Sequence, residues 1–195
     1  MKYFLYRFIV ILLKPFFLLV FRPTYLNKKN IPESGSLILA GNHTNNLDAA
    51  LMLGGPKRVV HMMAKKELFN TKFKSKFFRS MGCISVDRGT HDEHAKSEAI
   101  EVLNRGEVLG IFPEGTINKT NELLLPFKYG AVSFASKTDS YIVPFAITGK
   151  YKLFRKSITI NYGKPYKVYK DLDTENKLLM RKVKKLMSEG VEYER

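Results

Sequence analysis

Cysteine occurs once, at Cys83, so no disulfide can form within the chain. That fits a reducing compartment without requiring one. Acidic residues are scarce. Eighteen Asp and Glu face 33 Lys and Arg, which gives a net charge of +15 and a pI near 9.8. Such a balance implies anionic partners: nucleic acid, anionic lipid headgroups or phosphorylated substrates. No internal repeat or low-complexity linker is present, and no motif of a known nucleic-acid-binding fold. No serine sits in a Gly-x-Ser-x-Gly elbow, which removes the usual hydrolase nucleophile. No metal-ligand cluster is visible either. Hydrophobic content of 45% and charged content of 26% are ordinary for a globular protein, so disorder is excluded as the default. At 195 residues the chain suits one domain, or one domain with a short appendage.

The longest apolar run lies at the amino terminus. Residues 3–21 read YFLYRFIVILLKPFFLLVF, interrupted by Arg7 and Lys14. A spanning helix needs about 20 predominantly apolar residues, but cations near its middle are costly at the bilayer centre. Arg7 and Lys14 share nearly one helical face, and Pro15 favours a kink or a break. The segment reads as one helix, or two, lying in a leaflet's interface with its cations toward the headgroups. The cations and the lack of a small-x-small site argue against a cleaved signal peptide. Residues 1–30 hold six Lys and Arg and no acid, which adds attraction to an anionic leaflet. Residues 30–35 (NIPESG) form a turn that divides this helical segment, residues 1–30, from a domain at residues 31–195.

Within that domain, short apolar runs at residues 36–40, 59–64, 83–86, 108–112, 141–147 and 157–162 read as buried strands. Helical patterns at residues 48–53, 67–81, 91–104, 131–137 and 172–188 separate most of them, and Gly106 stops the third. This alternation predicts an α/β domain: a mostly parallel central sheet flanked by helices. In open sheets of this kind ligands bind beyond the strands' carboxyl ends. Asn42 and His43, Asp87 and Arg88, and Pro113 and Glu114 all follow strands, so three polar loops converge on one cleft.

His43 and Asp48 lie in the stretch GNHTNNLD, residues 41–48. On a regular helix they would point about 140° apart. They meet if His43 is on a loop and Asp48 in the first helical turn, with Asn45 or Asn46 as the N-cap. Asp48 would then orient the imidazole and leave its other nitrogen as a base. The alternative is a loop histidine making a local turn contact. Residues 82–88 (GCISVDR) end one strand and residues 112–116 (FPEGT) another. Arg88 suits bidentate phosphate recognition. Glu114 can bind a hydroxyl or a basic partner, and the amide of Gly115 or Thr116 can meet an anion. An Arg88 pair with Glu114 or Asp87 is the plainer account. Residues 56–80 add eight Lys and Arg, Lys65 and Lys66 among them, against one Glu, with Phe69, Phe73, Phe77 and Phe78 at helical spacing. That is a basic face over a core stripe, or a surface for anionic lipid or an acidic carrier.

These motifs resemble those of the 1-acylglycerol-3-phosphate acyltransferases. The blocks NHTNNLD (42–48), GCISVDR (82–88), FPEGT (112–116) and IVPFAI (142–147) match in order and spacing, as do FKYGA (127–131) and MAKKEL (63–68). The resemblance covers roughly residues 37–147. It implies transfer of a fatty acyl group from acyl-CoA or an acyl carrier protein, as co-substrate rather than cofactor, to the sn-2 hydroxyl of lysophosphatidic acid. It further implies His43 as base, Asp48 as its partner, and Arg88, Glu114, Gly115 and Thr116 as the glycerophosphate site. Lys65 would assist the phosphate, Asn42 would support the base, and Pro144 would shape the site or an acyl pocket. Membrane lipids are then the surface partner, the cytoplasmic face of the cell membrane is the location, and neither nucleic acid nor metal is needed. Two positions depart from the family pattern. Ile117-Asn118 stand where Arg-Ser is usual, and Ser85 stands where an aromatic is usual. The first leaves another lysophospholipid or glycerol 3-phosphate as alternative acceptors.

Overall fold

The computed structural model of the protein describes residues 4–52 and 54–192. Among these, the chain opens with α1 (Phe4–Phe21), followed by β1 (Thr24–Leu26) and a 3-10 turn at Lys28–Asn30. Then come β2 (Leu37–Gly41), α2 (Asp48–Leu51), β3 (Val60–Lys65), α3 (Lys72–Ser80) and β4 (Ile84–Val86). The remaining elements are α4 (Glu93–Asn104), β5 (Val108–Ile111), α5 (Gly130–Thr138), β6 (Tyr141–Gly149), β7 (Ile158–Tyr162) and α6 (Leu172–Glu192). Seven strands form one sheet in the order β1-β7-β6-β2-β5-β3-β4. All neighbours run parallel except β6 and β7.

The central strands read as unbroken apolar runs because both faces are covered. Along β2 the side chains alternate between two cores. Ile38 and Ala40 join a cluster with α4, α5 and α6, including Ala99, Leu103, Val132 and Val183. Leu37 and Leu39 join the opposite cluster, with Phe17, Leu51, Val143 and Phe145. The second cluster is where α1 packs: Phe17 is buried there, with Phe21 against its edge. Near its start, Tyr6 is buried and meets the main chain of Val60 at the beginning of β3. At its end Phe21 stands edge-on to Tyr151, 5.6 Å between ring centroids, just past β6.

The strand and helix pattern read from the sequence is that of the fold, with three differences. First, of the one or two helices read at the amino terminus a single one forms, and it runs through Pro15 without the break that residue favours. The hydrogen bond that proline forfeits is to the Ile11 carbonyl one turn back, on a face turned away from the sheet. Second, Thr24–Leu26 pairs with β7 as an edge strand. Asn27, Lys28 and Asn30 bond to Asn161, Gly54 and Tyr162. The division placed after residue 30 therefore falls inside the folded unit, which continues back through α1. Three half-buried residues are too few to show a strand's period. Third, the helix read over residues 67–81 is a 3-10 turn at Lys66–Phe69 and then α3, because Thr71 breaks the pattern as N-cap, accepting the Lys74 amide at 3.2 Å.

Gly41, the last residue of β2, has no room for a side chain. A Cβ there would lie 2.3 Å from the Phe145 carbonyl oxygen on the paired strand. Gly41→Ala should lower the urea midpoint by the equivalent of about 1–3 kcal/mol, the cost of overpacking a core.

Candidate active site

The carboxyl ends of β2, β5 and β6 lie at one edge of the sheet because these strands are parallel. His43 follows β2 there. Its Nδ1 is 2.9 Å from Asp48 Oδ2. Asp48 is fully buried, and its carboxylate also accepts the amides of Thr44 at 2.6 Å and Asn45 at 2.8 Å, with the Thr44 hydroxyl more distant. Tyr151 donates its phenol to Oδ1 at 2.7 Å. So many donors hold Asp48 as an acceptor, so Nδ1 carries the proton and Nε2 is left basic. Burial, and next the negative Asp48, push the Tyr151 phenol well above its usual range, which keeps it a donor.

The bend from His43 to Asp48 is not closed by an asparagine N-cap. Leu47 is the N-cap position and makes no side-chain bond. Asn45 instead accepts the Leu47 amide at 3.0 Å, an Asx turn ahead of the helix. Asn42 is buried and works as a substitute strand. Its side chain donates to Ile147 O at 2.8 Å and accepts from Ile147 N at 2.7 Å. It fastens the end of β2 to β6 at the residue before His43. The His43 ring stacks on Phe112, 4.0 Å between centroids and 8° from parallel.

Glu114 is buried, and its two oxygens face inward. Oε1 accepts the His43 amide and Oε2 the Leu125 amide, each at 2.8 Å. Among the described residues Glu114 makes no pair with Arg88, the plainer account weighed from sequence, and each of its oxygens takes one amide. The Asn118 amide donates to His43 O at 2.9 Å and closes the same loop. Glu114 thus positions the histidine backbone rather than presenting itself to solvent.

A cavity of about 550 Å³ adjoins this loop, between the ends of β3, β4 and β5 and the helices α4 and α5. Met63, Val86, Ile111 and Phe134 make its floor apolar. Phe112 is shared, lining the cavity and carrying the His43 ring. Arg88 and Gly115 line it too. Arg88 is exposed and unpaired among the described residues, because Asp87 pairs with Lys66. That ammonium holds the Asp87 carboxyl below its usual range. Lys65 and Thr116 are exposed outside this wall. Pro144 does not shape the cavity. It is buried in β6 opposite Ala40, near Gly163 and Leu186 on the α6 side.

Sequence reasoning assigned nothing to Tyr151, Lys128 or Lys137. Tyr151 stands over a hundred positions from Asp48, and no local signal marks it. Lys128 lies in FKYGA, where a role was available to find. Its main-chain amide donates to Pro113 O at 2.8 Å, and its stem crosses Gly115, which has a φ of +70°. It reaches the cavity wall with Lys137.

Cys83 packs against the core cluster beneath α1 and directly precedes β4, the edge strand, three places along the sheet from β2 and its His43. Burial pushes its thiol up to about 11, so thiolate is scarce near neutral pH. Cys83→Ala should retain activity, and a thiol reagent should label the native protein far more slowly below about pH 9 than above about pH 11, where the thiolate forms. Glu114→Gln would turn an amide donor toward a backbone N–H. It should cost about 1–3 kcal/mol of stability in denaturant titrations and reduce turnover through a displaced His43.

The Acyltransferase family model matches residues 22–148. The 1-acyl-sn-glycerol-3-phosphate acyltransferase of Bacillus subtilis (strain 168) is 36% identical over 124 residues, 63% of this chain and 61% of its own length. The enzyme of the same name from Borreliella burgdorferi is 32% identical over 137 residues, 69% of this chain and 54% of its own. The chain thus spans somewhat more than half the length of these relatives. The crystal structure of the 1-acyl-sn-glycerophosphate acyltransferase PlsC from Thermotoga maritima shares the fold. Its TM-score is 0.69 at 24% identity, over 84% of this chain and 69% of that one. With the blocks that carry His43, Asp48 and Glu114 inside the matched region, the chain belongs to the acyltransferase family.

Proposed function

We propose that this protein is a 1-acylglycerol-3-phosphate acyltransferase, moving a fatty acyl group from acyl-CoA or acyl carrier protein to the sn-2 hydroxyl of lysophosphatidic acid and forming phosphatidic acid. The observation that carries the reading is the His43–Asp48 pair at 2.9 Å, which leaves Nε2 free to act as a base, on a ring that stacks on the cavity-lining Phe112. Nε2 takes the hydroxyl proton as that oxygen attacks the thioester carbonyl. The tetrahedral intermediate collapses, the C–S bond breaks, and the thiolate takes the proton back from imidazolium. Asp48 stays ionised throughout and stabilises the imidazolium. No enzyme nucleophile is required, in keeping with a Cys83 thiol held neutral and remote.

Arg88, with Lys128 and Lys137 on the same cavity wall, supplies charge for the acceptor's phosphate. Lys65, exposed at the end of β3, assists from outside that wall. Gly115 and Thr116 offer backbone at the turn that Glu114 holds. The outward face of α1 attaches the protein to the cytoplasmic leaflet of the cell membrane. Among the described residues no helix is long and apolar enough to cross a membrane.

One position favours a second acceptor. Ile117 stands where the family resemblance expects an arginine, so one phosphate cation is missing there. Another lysophospholipid or glycerol 3-phosphate is the alternative, and a panel of the three acceptors with both donors decides it. Turnover confined to one of the alternatives would replace lysophosphatidic acid.

His43→Ala should abolish transfer while circular dichroism stays unchanged. Asp48→Asn should lower kcat by about 10²–10⁴-fold, the range that general-base assistance contributes. Normal turnover in His43→Ala would remove the mechanism. Arg88→Ala should raise the acceptor KM several-fold more than it lowers kcat.

A further inference from the structure

The connection between β6 and β7 has no fold-level reason to be apolar at its tip. Residues 150–156 read KYKLFRK. The loop is closed at its base, where Lys150 N donates to Ser157 O at 2.7 Å and the Ser157 hydroxyl donates to Lys150 O at 2.7 Å. Leu153 is 63% exposed and Phe154 62%. Phe154 has a φ of +59°, a left-handed conformation that a bulky residue holds only when surroundings enforce it. The enforcing contact is its amide, which donates to the Val20 carbonyl at the end of α1. Lys150, Lys152, Arg155 and Lys156 surround the tip, all exposed and none paired with an acid among the described residues.

That contact makes the tip continuous with the outward face of α1. Opposite its buried Tyr6 and Phe17, this helix exposes Phe8, Ile11, Leu12, Phe16 and Leu19, each more than half accessible. Exposed apolar area of this extent marks an interaction surface. The ring of unpaired cations selects an anionic bilayer as its occupant.

We propose that the β6–β7 connection, with Leu153 and Phe154 at its tip, is a second lipid-inserting element that seats beside α1 on an anionic bilayer. The proposal rests on the reading of α1 as an interfacial helix. A helix lying alone in an interface is free to roll about its axis. A second inserted point beside its end removes that freedom and fixes which edge of the sheet faces lipid. That edge is the one bearing His43. Tyr151, two residues from Leu153, donates to Asp48, so the inserted tip and the catalytic pair share one short rigid connection.

The chain contains no tryptophan, so a single substitution reports cleanly. Leu153→Trp, Ile11→Trp and, as a remote control, Tyr169→Trp are each titrated with vesicles of phosphatidylcholine containing phosphatidylglycerol, with and without brominated acyl chains. Tyr169 is 83% exposed near the opposite edge of the sheet. Indole emission of the Leu153→Trp variant should shift to the blue and be quenched by bromine, as should that of the Ile11→Trp variant, while the Tyr169→Trp control is unaffected. Quenching in the Ile11→Trp variant but not in the Leu153→Trp variant overturns the second element alone. Absence of quenching in both overturns the interfacial reading of α1 with it. Leu153→Glu should weaken vesicle binding by about tenfold, the loss of one buried leucine, with circular dichroism unchanged. Binding as tight as the parent's would also overturn the proposal. Neither outcome depends on which acceptor is acylated.

Discussion

The structure depends on satisfying one carboxylate that has no exposed surface. Asp48 is fully buried, and a buried charge persists only when donors replace the water it has lost. Five groups do so: two backbone amides, the Tyr151 phenol, the His43 ring and, at longer range, the Thr44 hydroxyl. The amides come from Thr44 and Asn45, residues of the bend itself. The bend therefore folds around the carboxylate, and the histidine at its start is held by the same atoms. Orientation of the imidazole and stability of the turn are one requirement.

A second buried carboxylate carries the constraint across the sheet. Glu114 receives the His43 amide on one oxygen and the Leu125 amide on the other. It joins the loop after β2 to the loop after β5 and to the segment leading into α5. That segment delivers Lys128 to the cavity beside Gly115. Phe112, the first residue past β5, supports the imidazole by stacking. Three neighbouring strand ends thus control one ring: β2 through Asn42 and the main chain, β5 through Glu114 and Phe112, β6 through Ile147 and Tyr151.

Much of this was legible in the sequence, for local reasons. The strands are short apolar runs bounded by turns, so a parallel sheet followed from their alternation with helices. His43 and Asp48 were legible as a pair because the bend that joins them is encoded within six consecutive residues. The Tyr151 contact spans most of the domain and has no signature. Glu114 was visible as important but its direction was not, since a glutamate after a strand reads alike whether it faces ligand or amides. Pro144 was placed in the site because it sits in a matched block, yet position along a strand does not say which face a side chain takes. The edge strand β1 was missed because three residues carry no period, and α1 was left open between one helix and two because a single proline was weighed against a long apolar context.

Helix α1 has apolar residues on both faces, which a helix at a water-exposed surface does not sustain. The inward face accounts for Tyr6, Phe17 and Phe21, which cover the core that includes Leu37, Leu39 and Phe145. The outward face has no partner within the described residues. On the proposed reading, membrane attachment and fold are not separable modules, because the helix with the unpartnered outward face also closes one side of the sheet. Its last turn abuts Tyr151 through Phe21, and Tyr151 holds Asp48. A helix drawn away from the sheet by a bilayer would disturb the Asp48 carboxylate, whereas one seated on it would let lipid approach the edge where His43 lies. If the protein is attached as proposed, the packing of α1 favours one that rests on the membrane with its sheet still covered over one tethered by a detached anchor.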